Sequence, residues 1–185
     1  DVVLAATVMG YREDDADEFA EVANLGLGCG APLGFAHLQA GETVLDLGSG
    51  AGFDAFLARR EVGQSGLVIG VDMTPEMIAR ARFNAEKLGY TNVSFRLGEI
   101  EYLPVADASV DLVISNCVLN LVPDKDAAFR EIARVLKPGG RMVVSDIVQT
   151  GGLPVALAEN PAAYAACIAG AVAKEDYLLK LAQAG

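Results

Sequence analysis

Three cysteines are the most chemically reactive side chains of this 185-residue chain. Cys29 lies in a glycine-rich loop, Cys117 follows a β-branched run, and Cys167 lies in an alanine-rich stretch. None belongs to a C-x-x-C pair, which disfavours a structural zinc site. A free cysteine is most often a small buried hydrophobe, and that interpretation stays open for each of them. Three thiols that converge would instead suit a soft, thiophilic ligand.

A second candidate site is the glycine loop Gly48-Ser49-Gly50-Ala51-Gly52. Its G-x-G-x-G spacing differs from the G-x-G-x-x-G that holds a pyrophosphate, which disfavours a nicotinamide-dependent dehydrogenase. Asp46 stands two residues before Gly48, and its carboxylate would repel a phosphate but attract an ammonium group. The pattern therefore predicts a ligand that carries a cationic amine, such as S-adenosylmethionine.

Residues at or after the ends of the next predicted strands are candidates for binding the rest of such a ligand. Asp72 ends the second strand, where a carboxylate accepts hydrogen bonds from ribose hydroxyls. Asn116 ends the fourth strand and is expected to contact the same ligand. The adenine ring is expected to lie against Met73, Gly98, Glu99 and Ile100.

Short β-branched runs alternate with helical stretches, and this alternation supplies the scaffold. The predicted strands are Thr43–Leu47, Leu67–Val71, Val93–Leu97, Val110–Ser115 and Arg141–Val148. The predicted helices between them are Phe53–Arg60, Pro75–Leu88 and Lys125–Leu136, with Thr74 and Asp124 as caps for the last two. This rhythm predicts an α/β fold with a doubly wound, mostly parallel sheet. The carboxyl ends of its strands meet at one edge, so Cys117 is expected to face the glycine loop.

The two ends of the chain differ from this central region. We expect three segments: a helical and glycine-rich segment over residues 1–40, a ligand-binding domain over 41–150 and a helical segment over 151–185. Three late helices are predicted, Pro154–Ala158, Pro161–Ala173 and Glu175–Ala184, with Cys167 on the second. Because the chain begins at Asp1 and the sheet is expected to continue, it is interpreted as part of a longer protein.

Composition narrows the classes of partner. Acidic residues outnumber basic ones by 25 to 14, which gives a net charge of −11 and makes nucleic acid and anionic membrane surfaces poor partners. The longest nearly apolar run, residues 162–173, is shorter than the ~20 residues that a membrane span requires. Three scattered cysteines do not make a secreted disulfide scaffold, so a reducing cytoplasm is expected.

The ordered set of motifs resembles class I S-adenosylmethionine-dependent methyltransferases. The resemblance rests on Asp46-x-Gly-x-Gly-x-Gly, on Asp72, on Asp111-Leu-Val-Ile-Ser-Asn and on Leu-Lys-Pro-Gly-Gly-Arg at 136–141. It covers about residues 40–150 and implies a Rossmann-like sheet with strand order 3-2-1-4-5. It also implies S-adenosylmethionine as the methyl donor, whereas Asp111 is expected to shape the strand and the donor pocket.

The segments around the cysteines resemble a narrower family, the arsenite methyltransferases. These segments are Asn-Leu-Gly-Leu-Gly-Cys-Gly-x-Pro around Cys29, Ser-Asn-Cys-Val-x-Asn-Leu around Cys117 and Cys-Ile-Ala-Gly-Ala from Cys167. The resemblance implies that Cys117 and Cys167 bind trivalent arsenic, and that Cys29 joins them or takes part in disulfide exchange. It further implies arsenite and methylated arsenicals as substrates and a thiol reductant, thioredoxin or glutathione. No general base is needed, which suits a chain whose single histidine, His37, has no obvious partner.

Two alternatives remain open from the sequence. Another small-molecule methyltransferase of this fold, such as a quinone C-methyltransferase, would keep the donor site and leave the cysteines without a role. A non-catalytic arsenite-binding protein would bind arsenic without S-adenosylmethionine. Thiol-dependent arsenite binding separates the first alternative from arsenite methylation, and dependence on the donor separates the second.

Overall fold

The computed structural model describes residues 1–26 and 28–185. Five parallel strands form one sheet in the order β3-β2-β1-β4-β5, which confirms the predicted doubly wound arrangement. The strands are β1 Thr43–Leu47, β2 Leu67–Asp72, β3 Val93–Leu97, β4 Val110–Asn116 and β5 Leu136–Ser145. β1 and β4 lie side by side at the centre, where the direction of the connections reverses.

Helices cover both faces of this sheet. They are α1 Val2–Val8, α2 Glu13–Glu18, α3 Phe53–Val62, α4 Pro75–Lys87, α5 Lys125–Val135, α6 Val155–Ala158, α7 Pro161–Ala165 and α8 Lys174–Ala184. Short 3₁₀ turns occupy Pro32–Phe35, Ile100–Tyr102 and Leu119–Leu121. No helix in the described ranges is long and apolar enough to cross a membrane.

Successive residues of β1 point to opposite faces and so divide the core in two. Val44 packs with Phe19 and Phe56 in a cluster under α1 to α4. Leu45 packs in a second cluster, where Phe129 of α5 contacts the rest of that face. The sheet is therefore buried on both sides, which explains why its strands are apolar nearly throughout.

The local predictions hold best in the central region. The Asp124 side chain caps α5 by accepting a hydrogen bond from the Ala127 N–H at 2.9 Å, as predicted. The predicted Thr74 cap is wrong, because its side chain makes no capping bond. Its backbone N–H instead donates to Asp72 Oδ1 at 2.8 Å. β5 also begins earlier than the predicted Arg141, since Leu136 already pairs with Val110.

The predicted helix over Pro161–Ala173 is wrong in its second half. α7 ends at Ala165, and Cys167 lies in a turn with φ of 62° rather than on a helix. Long-range contacts fix this turn, since the Asn120 Nδ2 donates to the Cys167 carbonyl at 3.1 Å. The three-segment division of the chain stays a prediction.

Candidate functional site

The carboxyl ends of β1, β2 and β4 open on a cleft of about 610 Å³. A crevice at this edge, where the strand order reverses, is where open α/β sheets bind their ligands. The cleft is lined by most of the residues predicted for both ligands: Asp46, Gly48, Ser49, Gly50, Asp72, Asn116, Cys29, Cys117 and Cys167. The structure thus brings six of the predicted donor residues and all three cysteines to one cleft.

The glycine loop is held tightly at the end of β1. The N–H groups of Gly48 and Ser49 both donate to the Val71 carbonyl, at 2.8 and 3.1 Å. Gly48 has φ of +66°, and a Cβ there would come within 2.7 Å of the Val118 side chain. Gly52 does not line the cleft, and a Cβ on it would meet Phe56 at 2.7 Å. Gly48 therefore lets the loop approach the turn after β4, and Gly52 lets it pack on the core.

Asp46 is a buried carboxylate, only 2% exposed, and its Oδ2 has no hydrogen-bond partner among the described residues. Burial, followed by the nearby Asp54 and Asp72, holds the pKa of Asp46 well above its usual range. An unpaired buried carboxylate is costly unless a cation compensates it. The ammonium group of S-adenosylmethionine would supply that cation, so the residue fits the predicted ligand.

Asp72 is fixed by two backbone groups. Its Oδ2 accepts from the Gly50 N–H at 3.0 Å and its Oδ1 from the Thr74 N–H at 2.8 Å. A carboxylate offers about four acceptor positions, so two remain for the hydroxyls of a ribose. The carboxylate is thereby oriented before a ligand arrives.

The predicted adenine wall is less well assembled. Met73 is 72% exposed, and none of Met73, Gly98, Glu99 and Ile100 lines the described cleft. Met77, in the first turns of α4, lines it instead. Its position after the second strand is the only sequence signal that points to it. The adenine contacts stay a prediction.

A hydrogen-bond network joins Asp54, Asn116 and Cys29, three residues that line the cleft. The Tyr11 hydroxyl donates to Asp54 Oδ1 at 2.7 Å, and Asn116 Nδ2 donates to the Tyr11 oxygen at 2.8 Å. The same Nδ2 donates to the Gly30 carbonyl at 2.8 Å, while Asn116 Oδ1 accepts from the Cys29 N–H at 2.9 Å. Asn116 therefore connects the loop that carries Cys29 to the network beside Asp46. Sequence reasoning missed Tyr11 and Asp54, which belong to none of the motifs used to locate the donor site.

The three cysteines line the same cleft. Cys29 and Cys117 form a disulfide with their Cα atoms 5.3 Å apart. The Cys167 thiol is buried and donates to the Cys117 carbonyl at 2.6 Å. Cys117 and Cys167 have φ of 60° and 62°, a left-handed backbone that residues other than glycine seldom adopt. Such strain concentrates at functional sites, where the surrounding structure maintains it.

Asp146 is a further group in this cluster that the sequence analysis missed. One of its carboxylate oxygens and the sulfurs of Cys29 and Cys117 all lie within 4.8 Å of one another. Burial raises the pKa of Asp146 to about 6, against the effects of the Ile147 N–H and the Lys125 charge. The carboxylate therefore stays mostly ionised at neutral pH. The available signal is its place directly after β5, next to β4, where parallel strands present ligand-binding residues.

Two other residues named from the sequence lie outside the cleft. Asp111 is near the amino end of β4, where its Oδ2 accepts from the Thr43 N–H and from Lys137, both at 2.8 Å. It shapes the sheet as expected, but the expected part in the donor pocket is wrong, because this end of the strand faces away from the ligands. His37 lies before β1, and its carbonyl accepts from Arg141 at 3.1 Å.

The chain is similar in sequence to known methyltransferases. The chain is 56% identical to the arsenite methyltransferase of Halobacterium salinarum over 177 residues, which cover 96% of this chain and 45% of that protein. It is 39% identical to the arsenite methyltransferase of Homo sapiens over 170 residues, 87% of this chain and 45% of that protein. The chain thus spans about half the length of the curated relatives it matches.

Structural similarity extends over the whole chain. The crystal structure of CrArsM, an arsenic(III) S-adenosylmethionine methyltransferase from Chlamydomonas reinhardtii, superimposes with a TM-score of 0.75 at 39% identity. That match covers 100% of this chain and 62% of the other. The family described as a methyltransferase domain matches residues 38–185. The chain therefore belongs to the methyltransferase-domain family.

Proposed function

We propose that this protein transfers a methyl group from S-adenosylmethionine to trivalent arsenic bound by Cys29, Cys117 and Cys167. The observation that carries the proposal is the shared cleft, which the three cysteines line together with Asp46 and Asp72. The similarity to arsenite methyltransferases over most of the chain supports it.

The donor side of the cleft binds and orients S-adenosylmethionine, which supplies an electrophilic methyl group on a sulfonium. Asp46 pairs with its ammonium group, and Asp72 accepts the ribose hydroxyls. Gly48 and Gly50 allow the backbone to approach the ligand closely. Met73, Gly98, Glu99 and Ile100 are proposed to surround the adenine ring, with Asn116 and Ser49 between the two sides.

The acceptor side holds the nucleophile. Trivalent arsenic has a lone pair, and three thiolates bind it pyramidally while donating electron density to it. The lone pair can then be aimed at the methyl group, and holding two reactants in line is itself a large part of catalysis. Arsenic carries no proton that must be removed, so no general base is required.

Methyl transfer formally oxidises arsenic to the pentavalent state, and two cysteine thiolates reduce it again by giving up two electrons and forming a disulfide, which a thiol reductant reopens. The Cys29–Cys117 disulfide must open before both sulfurs can bind arsenic. Attack by a thiolate of thioredoxin or glutathione opens such a bond through a mixed disulfide. This requirement supports a reducing cytoplasm as the site of action. Neither nucleic acid nor a membrane surface is proposed as a partner, since the net charge is −11.

The test is a methylation assay on the full-length protein with arsenite, S-adenosylmethionine and glutathione. We expect methylated arsenic, measured by mass spectrometry, only when all three components are present. Arsenite binding without methylation would support a non-catalytic arsenite-binding protein. Methylation of a quinone without thiol-dependent arsenite binding would support another small-molecule methyltransferase.

A further inference from the structure

We propose that the Asp146 carboxylate is a catalytic residue that stabilises the positive charge developing on arsenic during methyl transfer. The inference rests on the proposed function and adds to it a residue that no cysteine or glycine motif contains. It follows from the place of the carboxylate beside the sulfurs of Cys29 and Cys117.

Geometry places Asp146 next to the acceptor rather than the donor. One carboxylate oxygen lies within 4.8 Å of the sulfurs of Cys29 and Cys117. An arsenic atom bonded to these sulfurs comes within reach of that oxygen. The charge of Asp146 also acts on the third thiol, that of Cys167. Asp146 is thus the carboxylate beside the sulfurs of Cys29 and Cys117.

The carboxylate is held but not satisfied. Its Oδ1 accepts from the Ile147 N–H at 3.0 Å, which fixes the orientation of the group. Its Oδ2 is buried and has no hydrogen-bond partner within 3.5 Å among the described residues, although the Asn120 N–H acts on the carboxylate and lowers its pKa. A buried polar atom left without a partner is costly, so it calls for a group that the ligand-bound protein supplies.

Activation of the free thiols does not explain this carboxylate. A negative charge beside a thiol disfavours the thiolate, and one Asp146 oxygen lies within 4.8 Å of the sulfurs of Cys29 and Cys117. The group therefore opposes the form of the cysteines that binds arsenic. Its benefit must come after the sulfurs are bonded to arsenic, when they no longer carry negative charge.

The methyl-transfer step creates the charge that a carboxylate stabilises. The lone pair of arsenic forms the As–C bond, the bond between the methyl carbon and sulfur breaks, and its electron pair stays on sulfur. The formal positive charge thereby passes from sulfur to arsenic. A fixed negative charge beside arsenic stabilises the transition state, in which arsenic becomes positive, more than it stabilises the neutral bound arsenic. An interaction that is stronger in the transition state than in the ground state is what accelerates a reaction.

The experiment compares Asp146→Asn, Asp146→Glu and Asp107→Asn with the wild-type protein in full length. Asp146→Asn removes the charge and keeps the shape. Asp107→Asn makes the same chemical change at an exposed residue before the amino end of β4, away from the cleft. For each protein we would measure the single-turnover methylation rate, the arsenite affinity by equilibrium dialysis and the S-adenosylmethionine affinity by calorimetry.

We expect the Asp146→Asn rate to fall on the order of 100-fold, with S-adenosylmethionine affinity nearly unchanged and arsenite affinity unchanged or raised, because the amide no longer opposes thiolate formation. Asp146→Glu restores part of the rate because it restores the charge, and Asp107→Asn behaves as wild type. An Asp146→Asn rate equal to wild type, or a rate loss matched by an equal loss of arsenite affinity, would overturn the inference. If Asp146→Asn does not fold, Asp146→Glu is compared with the uncharged Asp146→Ser variant. Equal methylation rates for these two variants would overturn the inference. A wild-type protein that methylates no arsenite refutes the proposed function itself.

Discussion

The two sides of the cleft are built in different ways. On the donor side, Asp46 and Asp72 belong to strands of the central sheet, and the glycine loop continues β1 directly. On the acceptor side, Cys29, Cys117 and Cys167 all lie outside helices and strands. The donor side is therefore set by the sheet, whereas the acceptor side depends on turns that are distant in sequence and meet only in the folded chain.

The two sides also differ in what they lack. The donor side has a buried carboxylate, Asp46, that requires a cation. The acceptor side has two cysteines joined to each other and a third that donates to the Cys117 carbonyl. The donor side can bind its ligand as it stands, whereas the disulfide of the acceptor side must be reduced before its sulfurs can bind arsenic. Substitutions on either side are therefore expected to affect one ligand and spare the other.

The largest difference between the effects on the two ligands is expected from Cys117→Ser, which should impair the acceptor and spare the donor. Cys117 lies between the two other cysteines, bonded to one and in contact with the other, so its loss removes the central ligand. We expect arsenite methylation to fall on the order of 100-fold or more, since a hard hydroxyl is a poor ligand for a thiophilic atom. Titration by calorimetry is expected to show unchanged S-adenosylmethionine affinity. Methylation at the wild-type rate would return the cysteines to a role in packing.

The opposite difference is expected from Asp46→Asn, which should weaken binding of the donor and spare the acceptor. The amide keeps the size of the side chain but cannot neutralise an ammonium group. We expect S-adenosylmethionine affinity to fall by about 10- to 100-fold, the range for a lost charge-assisted hydrogen bond. A donor analogue without the amine serves as the matched ligand and is expected to lose little. Equal losses for the two ligands would refute the ammonium assignment, and a loss of arsenite affinity would show that the sides are not separate.

The donor side could be predicted from sequence because its signals are local and periodic. Asp46 and Gly48 are two residues apart at the end of an apolar run, and a parallel sheet places the ends of such runs together. The alternation of strands and helices predicted a doubly wound parallel sheet. The order of its strands was implied only by the resemblance to class I methyltransferases, and the fold confirms that order.

The acceptor side could be predicted only in part. The cysteines themselves were identified by their surrounding motifs, but the helix predicted around Cys167 is replaced by a turn. Alanine-rich sequence favours a helix, and the contact with Asn120 prevails over that preference. Asp146 was missed because only the pairing of β5 with β4 brings it to the sulfurs. Contacts between segments that are distant in the chain produce no local sequence pattern from which they could be predicted.

Asn116 is where the two sides are joined, so its truncation sharpens the comparison. Asn116→Ala removes the acceptor for the Cys29 N–H and the donor to Tyr11 in one change. We expect both S-adenosylmethionine and arsenite affinity to fall, each by about 2- to 10-fold, as for ordinary hydrogen bonds. Tyr11→Phe is the matched control, because it disturbs the network without touching Cys29 and is expected to weaken only the donor. If Asn116→Ala affects one ligand alone, the connection has no functional role.

The smallest effect is expected from Cys29→Ser with a monomethylated acceptor. Arsenite offers three positions for sulfur, whereas methylarsenite has already used one for carbon and needs only two thiolates. Cys117 and Cys167 supply those two and remain in contact when Cys29 is replaced. The serine also keeps the backbone N–H that donates to Asn116, so the loop stays in place.

We expect Cys29→Ser to lose most arsenite methylation but to methylate methylarsenite within about threefold of the wild-type rate. Measuring both acceptors on the same preparation provides the control for folding. Equal losses with arsenite and methylarsenite would mean that Cys29 acts in both steps and that the acceptor side works as one three-sulfur unit.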